Sequence, residues 1–486
     1  MKSEEWRKLD QMFNPRGLAV FGAVKKMDGW GHFMLMSHRA YGFSGGLYPI
    51  SPQGGEVAGM RVYRGLSEVE GPVDLASVSV PARNVSKVLR DCLKHGVVGA
   101  EIHTAGFAET GESQGAVLQD EIMQTAKQGL RIIGPNCFGV HCPRSGLTLL
   151  PGFDFSREPG PVAMISQSGG VTSDFGHEAQ LAGLGISKLI SFGNGCDVEA
   201  VELLEYFADD PETGYVAAYL EGVSNGQKFL EVVKQVTRKK PVVVWKGGLT
   251  PLGSRAAMSH TGSLGGEARV WDGALTQAGA ISVQGIDEMM DTLMALKYLK
   301  NVGRRIALAG GGGAIGVFSS DLAHQWGLEV PTFSSGTQER LKQFFTNPGS
   351  SLLNPLDTGM PVVPLEWLTG SIKEILGNEP VDVLVLILLL HPLEVIFNGY
   401  MEMDGLTPLP GGAYLKELVG ALPRIKEETG KDIVIVLENR SYRPENMDVE
   451  STYREMRVRF QAEGIPVFVS AERALRGIRN AARAKN

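Results

Sequence analysis

The sequence predicts an α/β protein of three consecutive domains with parallel sheets. Short apolar runs recur between amphipathic stretches along the whole chain, the alternation that βαβ units produce. Many of the 62 glycines fall at the ends of those runs, where tight strand-to-helix turns need positive φ or close backbone approach, as in α/β proteins that handle nucleotides. The 486 residues correspond to about three domains of ordinary size.

In order, GLAVFG (17–22), GLYPI (46–50), VDLASVSV (73–80), VVGAEIH (97–103) and LRIIG (130–134) supply strands for a Rossmann-like first domain, residues 1–155. SREPGP (156–161) is a polar connector. VAMIS (162–166), ISKLISFG (186–193), VAAYLEG (216–222) and PVVVWKGG (241–248) build a second domain, residues 156–300, closed by an amphipathic helix around 285–300. After a hinge at NVGRR (301–305), RIALAGGGGAIG (305–316), VDVLVLILLL (381–390), KDIVIVLE (431–438) and GIPVFVS (464–470) form the third, residues 301–486. The second and third domains both begin with an apolar strand running into a Ser/Gly-rich turn, a hint of duplication.

With 21% charged and 43% hydrophobic residues the composition is that of an ordinary soluble globular protein. A formal charge of −7 gives no basic field for a phosphate backbone, so no nucleic acid is expected as main partner. Small anions remain within reach of local backbone donors. The start, MKSEEWRKLDQMF, lacks the apolar core of a signal peptide, and residues 381–390 are too short to span a bilayer, so a cytoplasmic enzyme without membrane attachment is expected. Cys92, Cys137, Cys142 and Cys196 show no CxxC spacing, which argues against a disulfide framework and against a metal site.

Four segments carry chemistry. GAVKKMDGWG (22–31) follows the first strand, so a phosphate can rest on the amides of the next helix. Its glycine spacing is not the dinucleotide fingerprint, and no acid ends the second strand, which continues as YPISPQ (48–53). NAD is disfavoured. GPNCFGV (134–140) places a tight turn at a sheet's carboxyl edge, serving a ligand or only the turn. In ISQSGG (165–170) hydroxyls and amides converge at a helix start, an anion site or a plain capped turn. His260 stands in a small, polar, glycine-flanked segment, SHTGSLGG (259–266), unlike a core histidine on an apolar helix face. A near-neutral imidazole there can attack phosphorus and later leave, dividing one hard transfer into two. An acid that accepts a hydrogen bond from the other ring nitrogen keeps it nucleophilic, and Glu221 ends a strand in the same domain.

Together VDLASVSVPA (73–82), TAGFAETG (104–111), RIIGPNCFG (131–139), ISQSGG, SFGNGCDV (191–198), YLEG (219–222) and GSRAAMSHTGSLGG (253–266) resemble, in order, the ADP-forming acetyl-CoA synthetases and the succinyl-CoA synthetase α-subunit. GGGAIG (311–316) and NPLDTG (354–359) extend the resemblance over nearly the whole chain. It implies a Rossmann-like CoA-binding domain followed by two flavodoxin-like CoA-ligase domains. It implies an acyl-CoA synthetase in which phosphate from a nucleoside triphosphate reaches His260, oriented by Glu221 and bound near Ser166, Gln167, Ser168, Gly169 and Gly170. A carboxylate then takes the phosphate, and CoA thiol displaces it. For CoA itself the resemblance points to Gly22, Ala23, Val24 and Lys25 on the first turn, Gln53 after the second strand, Val80 and Pro81 after the third, and Pro135, Asn136 and Cys137. Gln53 stands where the family commonly has lysine, so Lys25 or Lys26 replaces that cation. Fused relatives continue into an ATP-grasp module, which nothing in this chain resembles. The implied partner is therefore a separate ATP-grasp β-subunit holding Mg-ATP or ADP, in an α2β2 hetero-oligomer, with a homodimer when the chain is alone.

Two other readings compete: a CoA- or acyl-CoA-binding regulator of the same fold without turnover, and, more distantly, an NAD-dependent dehydrogenase. Phe138, Phe192 and Phe153 lie near the candidate loops, but core packing accounts for them equally well.

Overall fold

The computed structural model describes residues 2–23, 29–149, 154–255, 267–360, 362–403, 412–439 and 443–484. The chain divides into two compact units, Met1–Met289 and Met290–Asn486.

The first unit begins with helix α1 (Glu4–Phe13) and strand β1 (Gly17–Phe21), followed by α2 (Trp30–Tyr41), β2 (Gly46–Ile50), a hairpin of β3 (Gly55–Val57) with β4 (Met60–Val62), β5 (Leu75–Val78), α3 (Ala82–Lys94), β6 (Gly99–Ile102), α4 (Ser113–Ala126) and β7 (Arg131–Ile133). Every residue of β1, β5, β6 and β7 is buried, the pattern of strands covered by helices on both faces. On α3 the buried positions Val85, Leu89 and Cys92 follow the helical repeat, so one stripe packs on the sheet. The strands pair in parallel in the order β2-β1-β5-β6-β7. Counting only these five, that is the doubly wound order 2-1-3-4-5, whose switch point lies between β1 and β5.

A second sheet follows: β8 (Gly139–His141), β9 (Pro159–Ser166), α5 (Gly169–Leu181), β10 (Ile186–Ser191), α6 (Ala200–Asp209), β11 (Tyr215–Leu220), α7 (Gly226–Thr237), β12 (Val242–Lys246) and β13 (Ile281–Val283). Its order β13-β12-β11-β9-β10-β8 repeats the same winding, with the switch point between β9 and β11. One strand departs from the sequence expectation. β8 follows the last strand of the first sheet but pairs antiparallel with β10, Gly139 opposite Ser191, as the edge of the second sheet. The short turn 134–138 therefore steps directly from one sheet to the other.

A single apolar core joins both sheets, running from Leu18 and Val20 through Ala163, Ile165 and Phe207. Helix α1 pins it: Trp6 stacks on Tyr206 with centroids 4.9 Å apart, and the Tyr206 hydroxyl donates to Asp10 at 2.9 Å. Arg131 adds ion pairs to Glu202 at 2.6 Å and Asp197 at 3.0 Å.

In the second unit β14 (Ile306–Gly310), β15 (Val383–Leu389), β16 (Asp432–Glu438) and β17 (Val467–Phe468) form a parallel sheet in that order. Isolated parallel bridges of β14 residues and Arg305 to Leu356 and Glu329 stand where a second strand would pair, so the winding is again 2-1-3-4-5 with one strand reduced to single contacts. The apolar run 381–390 is thus a central strand with both faces covered.

His141 on β8 is fully buried against the rings of Tyr41 and Phe155. Burial, and secondarily His38 nearby, push its pKa down from 6.5 to about 3. The unfolded chain binds the proton more readily, so the neutral ring's contribution to stability is complete above 6.5 and is lost as pH falls from there toward 3. Unfolding free energy measured in urea between pH 7.5 and 5 is expected to fall less steeply for His141→Phe than for the parent; equal slopes would show that His141 is not the linked group.

Candidate functional site

The carboxyl ends of the two sheets of the first unit open onto one cavity of about 490 Å³. From the first sheet come Ser79 and Val80 after β5, His103, Thr104 and Ala105 after β6, and Asn136, Cys137 and Phe138 in the crossing turn. Gln167, Ser168, Gly169 and Gly170 come from the second sheet, and Trp30 from the start of α2.

Close backbone approach makes this possible. Gly22 has φ +87°, and a Cβ there would overlap the Ser79 carbonyl, while a Cβ on Gly31 would run into the backbone of Gly22. Two glycines thus seat the start of α2 on the β1 turn, as phosphate-binding folds require. At Gly169 a Cβ would overlap the Phe138 ring, so only glycine lets that ring lie against the start of α5. Asn136 takes the left-handed region at φ +58°, and its N–H donates to Thr104 O at 3.1 Å, fixing the crossing turn.

The turn after β9 is organised by its own serines. Ser166 Oγ accepts from Ser168 N at 3.0 Å and donates to Ser168 O at 2.8 Å, while Ser168 caps α5 through Val171 N at 3.4 Å. The amides of Gly169 and Gly170 have no hydrogen-bond partner among the described residues and belong to a first turn without acids, a helix end suited to an anion.

Beside it, at the switch point, stands Glu221. Gln167 Oε1 accepts from Glu221 N at 2.5 Å and from Gly222 N at 3.1 Å, joining the β9 and β11 turns. Tyr219 OH donates to Glu221 Oε1 at 3.1 Å, and burial pushes that phenol up, so it stays a donor. Lys246 Nζ donates to Glu221 O at 2.8 Å and to Gly247 O; burial lowers its pKa while the Glu221 charge opposes the shift.

Of the residues expected at the site, Val80, Asn136, Cys137, Gln167, Ser168, Gly169 and Gly170 line the cavity together. Ser166, Glu221 and Pro135 stand directly behind them in chain and space, and Gly22 and Ala23 form the floor under Gly31. Pro81 opens α3 at an exposed position and Gln53 is exposed near the β3–β4 hairpin; neither lines the cavity. His260, Val24, Lys25, Lys26 and Phe153 lie outside the described residues. Phe138 lines the cavity, whereas Phe192 is a core residue.

Sequence reasoning missed His103 and Trp30. His103 Nε2 lies 2.9 Å from Ser77 Oγ and 3.3 Å from Glu101 Oε1, and Nδ1 lies 3.1 Å from Cys137 O, so the ring braces the crossing turn from behind. The available signal was a polar residue directly after a buried strand, at the edge where such sheets bind ligands. Among the described residues no group of acids, histidines and cysteines can hold a metal, and no helix is long and apolar enough to cross a membrane.

Two outcomes test this geometry. Gln167→Leu leaves the amides of Glu221 and Gly222 without their acceptor, and the unfolding free energy in urea is expected to drop by about 1–3 kcal/mol; an unchanged midpoint contradicts the bridge. Burial pushes the thiols of Cys92, Cys137 and Cys142 up and that of Cys196 up to about 12. At pH 8 a thiol reagent is therefore expected to find no reactive cysteine in the native protein and all four after denaturation.

Comparison with known proteins agrees with this layout. Residues 16–143 match the CoA binding domain model, and residues 159–296 match the succinyl-CoA ligase like flavodoxin domain. The α-subunit of ADP-forming acetate–CoA ligase II from Pyrococcus furiosus is 37% identical over 78% of this chain and 82% of its own length. That organism's ligase I α-subunit is 35% identical over 85% of this chain and 92% of its own. Among solved structures, the dinucleotide-forming acetyl-coenzyme A synthetase 1 of Ca. Korarchaeum cryptofilum, in complex with phosphate and ADP, superposes with a TM-score of 0.82 at 29% identity, over 98% of this chain and 97% of that one.

Proposed function

The chain belongs to the ADP-forming acyl-CoA ligases, by its likeness to their α-subunits, and from that premise we propose that it interconverts acyl-CoA, ADP and phosphate with a carboxylic acid, CoA and ATP through a phosphohistidine at His260. The observation that carries the reading is the junction of the start of α5 with Glu221 across the β9–β11 switch point, beside a cavity reached from both sheets.

The γ-phosphoryl of Mg-ATP, held on an ATP-grasp β-subunit in an α2β2 assembly, passes to a His260 ring nitrogen as ADP leaves. Glu221, aligned by Tyr219, accepts the hydrogen bond from the other ring nitrogen and so keeps the first nucleophilic. The amides of Gly169 and Gly170 at the start of α5 receive the phosphoryl oxygens, beside the Ser168 hydroxyl, and stabilise charge there without reorganising. A carboxylate oxygen then attacks phosphorus and the P–N bond breaks, giving an acyl phosphate and a neutral imidazole. CoA, lying along the Gly22–Gly31 floor and the Asn136–Cys137 turn, attacks the acyl carbon as its thiolate. The C–O bond breaks and phosphate leaves. Cys137 takes no covalent part, because burial keeps it a thiol.

The relatives are named as ligases, which favours turnover over the regulatory reading. Co-purification with the β-subunit, followed by labelled ATP, is expected to give acid-labile, base-stable label on this chain that His260→Ala abolishes. Glu221→Gln is expected to slow labelling by about 10²-fold. Label retained in His260→Ala overturns the assignment.

A further inference from the structure

We propose that Lys246 is the residue that positions Glu221 for phosphoryl transfer, clamping the Glu221 peptide to the point where the chain departs toward His260. The inference rests on the phosphohistidine reading and deepens it by adding a positioning residue at the same site.

Two strands end here side by side. β11 and β12 pair in parallel up to Leu220 opposite Lys246, and Gly247 N then donates to Leu220 O at 2.9 Å. There the ladder between them stops: β11 runs on to Glu221, and β12 runs on into the segment that carries His260. Side chains, not strand pairing, have to fix the one against the other.

The peptide joining Glu221 to Gly222 is held at both edges. Gln167 Oε1 accepts from its N–H at 3.1 Å, and Lys246 Nζ donates to its carbonyl oxygen, Glu221 O, at 2.8 Å. A peptide plane gripped on opposite sides resists rotation. Gln167 also accepts from Glu221 N at 2.5 Å, so both peptides flanking Glu221 are fixed, and with them the direction in which its side chain leaves the backbone.

The same ammonium donates to Gly247 O, the first carbonyl of the segment leading to His260. Gly247 rests on the Tyr219 hydroxyl: a Cβ there would come within 2.7 Å of that oxygen, which donates to Glu221 Oε1 at 3.1 Å. Lys246 Nζ also lies over the ring of Trp271, 5.1 Å from its centroid, on the helix Ala268–Gln277 that follows the His260 segment in sequence. One side chain therefore touches the Glu221 backbone and the chain on both sides of the histidine.

An apolar side chain of the same length would fill this space at less cost, because Lys246 is only 3% exposed and a buried ammonium loses its hydration. Burial lowers its pKa and the Glu221 charge opposes that shift, so carboxylate and ammonium lie within electrostatic reach. Two carbonyl dipoles and a ring face offset the lost hydration, and all three belong to the pieces that the transfer needs in register.

The test uses the full chain with its β-subunit and labelled Mg-ATP. Lys246→Met keeps the stem and removes the ammonium. It is expected to slow labelling of this chain about 10²-fold at saturating ATP, the scale of a small misplacement of reacting groups, with KM for ATP and calorimetric binding of CoA unchanged. Trp271→Leu is expected to slow labelling severalfold, and Trp271→Phe, which keeps a ring face, to retain most of the rate. Because Lys246 acts through Glu221, Lys246→Met combined with Glu221→Gln is expected to be little slower than the slower single variant. Single effects that multiply in the double variant, or labelling of Lys246→Met at the parental rate, overturn the positioning role while leaving the ligase reading intact. Should Lys246→Met lose CoA binding along with labelling, Trp271→Leu decides: a parental rate there overturns the proposal, and a severalfold loss with CoA binding kept supports it. Label that persists in His260→Ala overturns the ligase reading and this inference with it.

Discussion

One carboxamide holds the site together. Gln167 reaches from the turn after β9 and accepts the amide hydrogens of Glu221 and Gly222 at the end of β11, so the two turns flanking the switch point move as one body. In a parallel sheet the carboxyl ends of neighbouring strands carry unpaired backbone groups, and at the switch point the chain leaves them in opposite directions, opening a crevice. Gln167 closes the floor of that crevice without filling it. The start of α5 and the Glu221 carboxylate are thereby held to each other rather than to separate loops, which a group visiting both requires.

The second constraint is steric. Gly22, Gly31 and Gly169 each stand where a side chain would strike backbone or a ring, and each sits between an element of the sheet edge and a helix start. Removing Cβ at these places brings α2 onto the β1 turn and Phe138 onto α5. Part of the cavity wall is consequently made of backbone amides and flat rings, which need little ordering when a ligand binds.

Much of this was legible in the sequence. The strands at 17–22, 46–50, 162–166, 216–222 and 432–438 announce themselves because buried parallel strands are continuous apolar runs, and the turns at 165–170 and 134–140 because few residues besides Gly, Pro, Asn and Ser fit them. β8 was not legible. It is three residues long and its partner β10 lies about fifty residues on, so only tertiary pairing places it in the second sheet. Trp30 looks like an ordinary residue in its own segment and His103 shows only as a polar residue after a buried strand; each acquires its role where two sheet edges meet. Gln53 and Pro81 show the converse, since positions following the right strands turn outward and stay exposed.

The three sheets share one winding order, so it does not set the second and third domains apart from the first. In the second unit β14 runs into Gly310, Gly311 and Gly312, all at φ near +80°, and these line a separate cavity of about 400 Å³ with Asp357, Thr358 and Tyr414. The device is the same as at Ser166–Gly170: a buried first strand, a turn only small residues can make, a helix opening toward a crevice. Its surroundings differ: Asp357 lies beside Gly313, whereas the acid beside the start of α5 is Glu221, supplied by the end of β11. Winding order therefore decides where a crevice forms, and the few side chains facing it decide what it accepts. That division explains why strand pattern alone located the sites, while their chemistry had to be argued residue by residue.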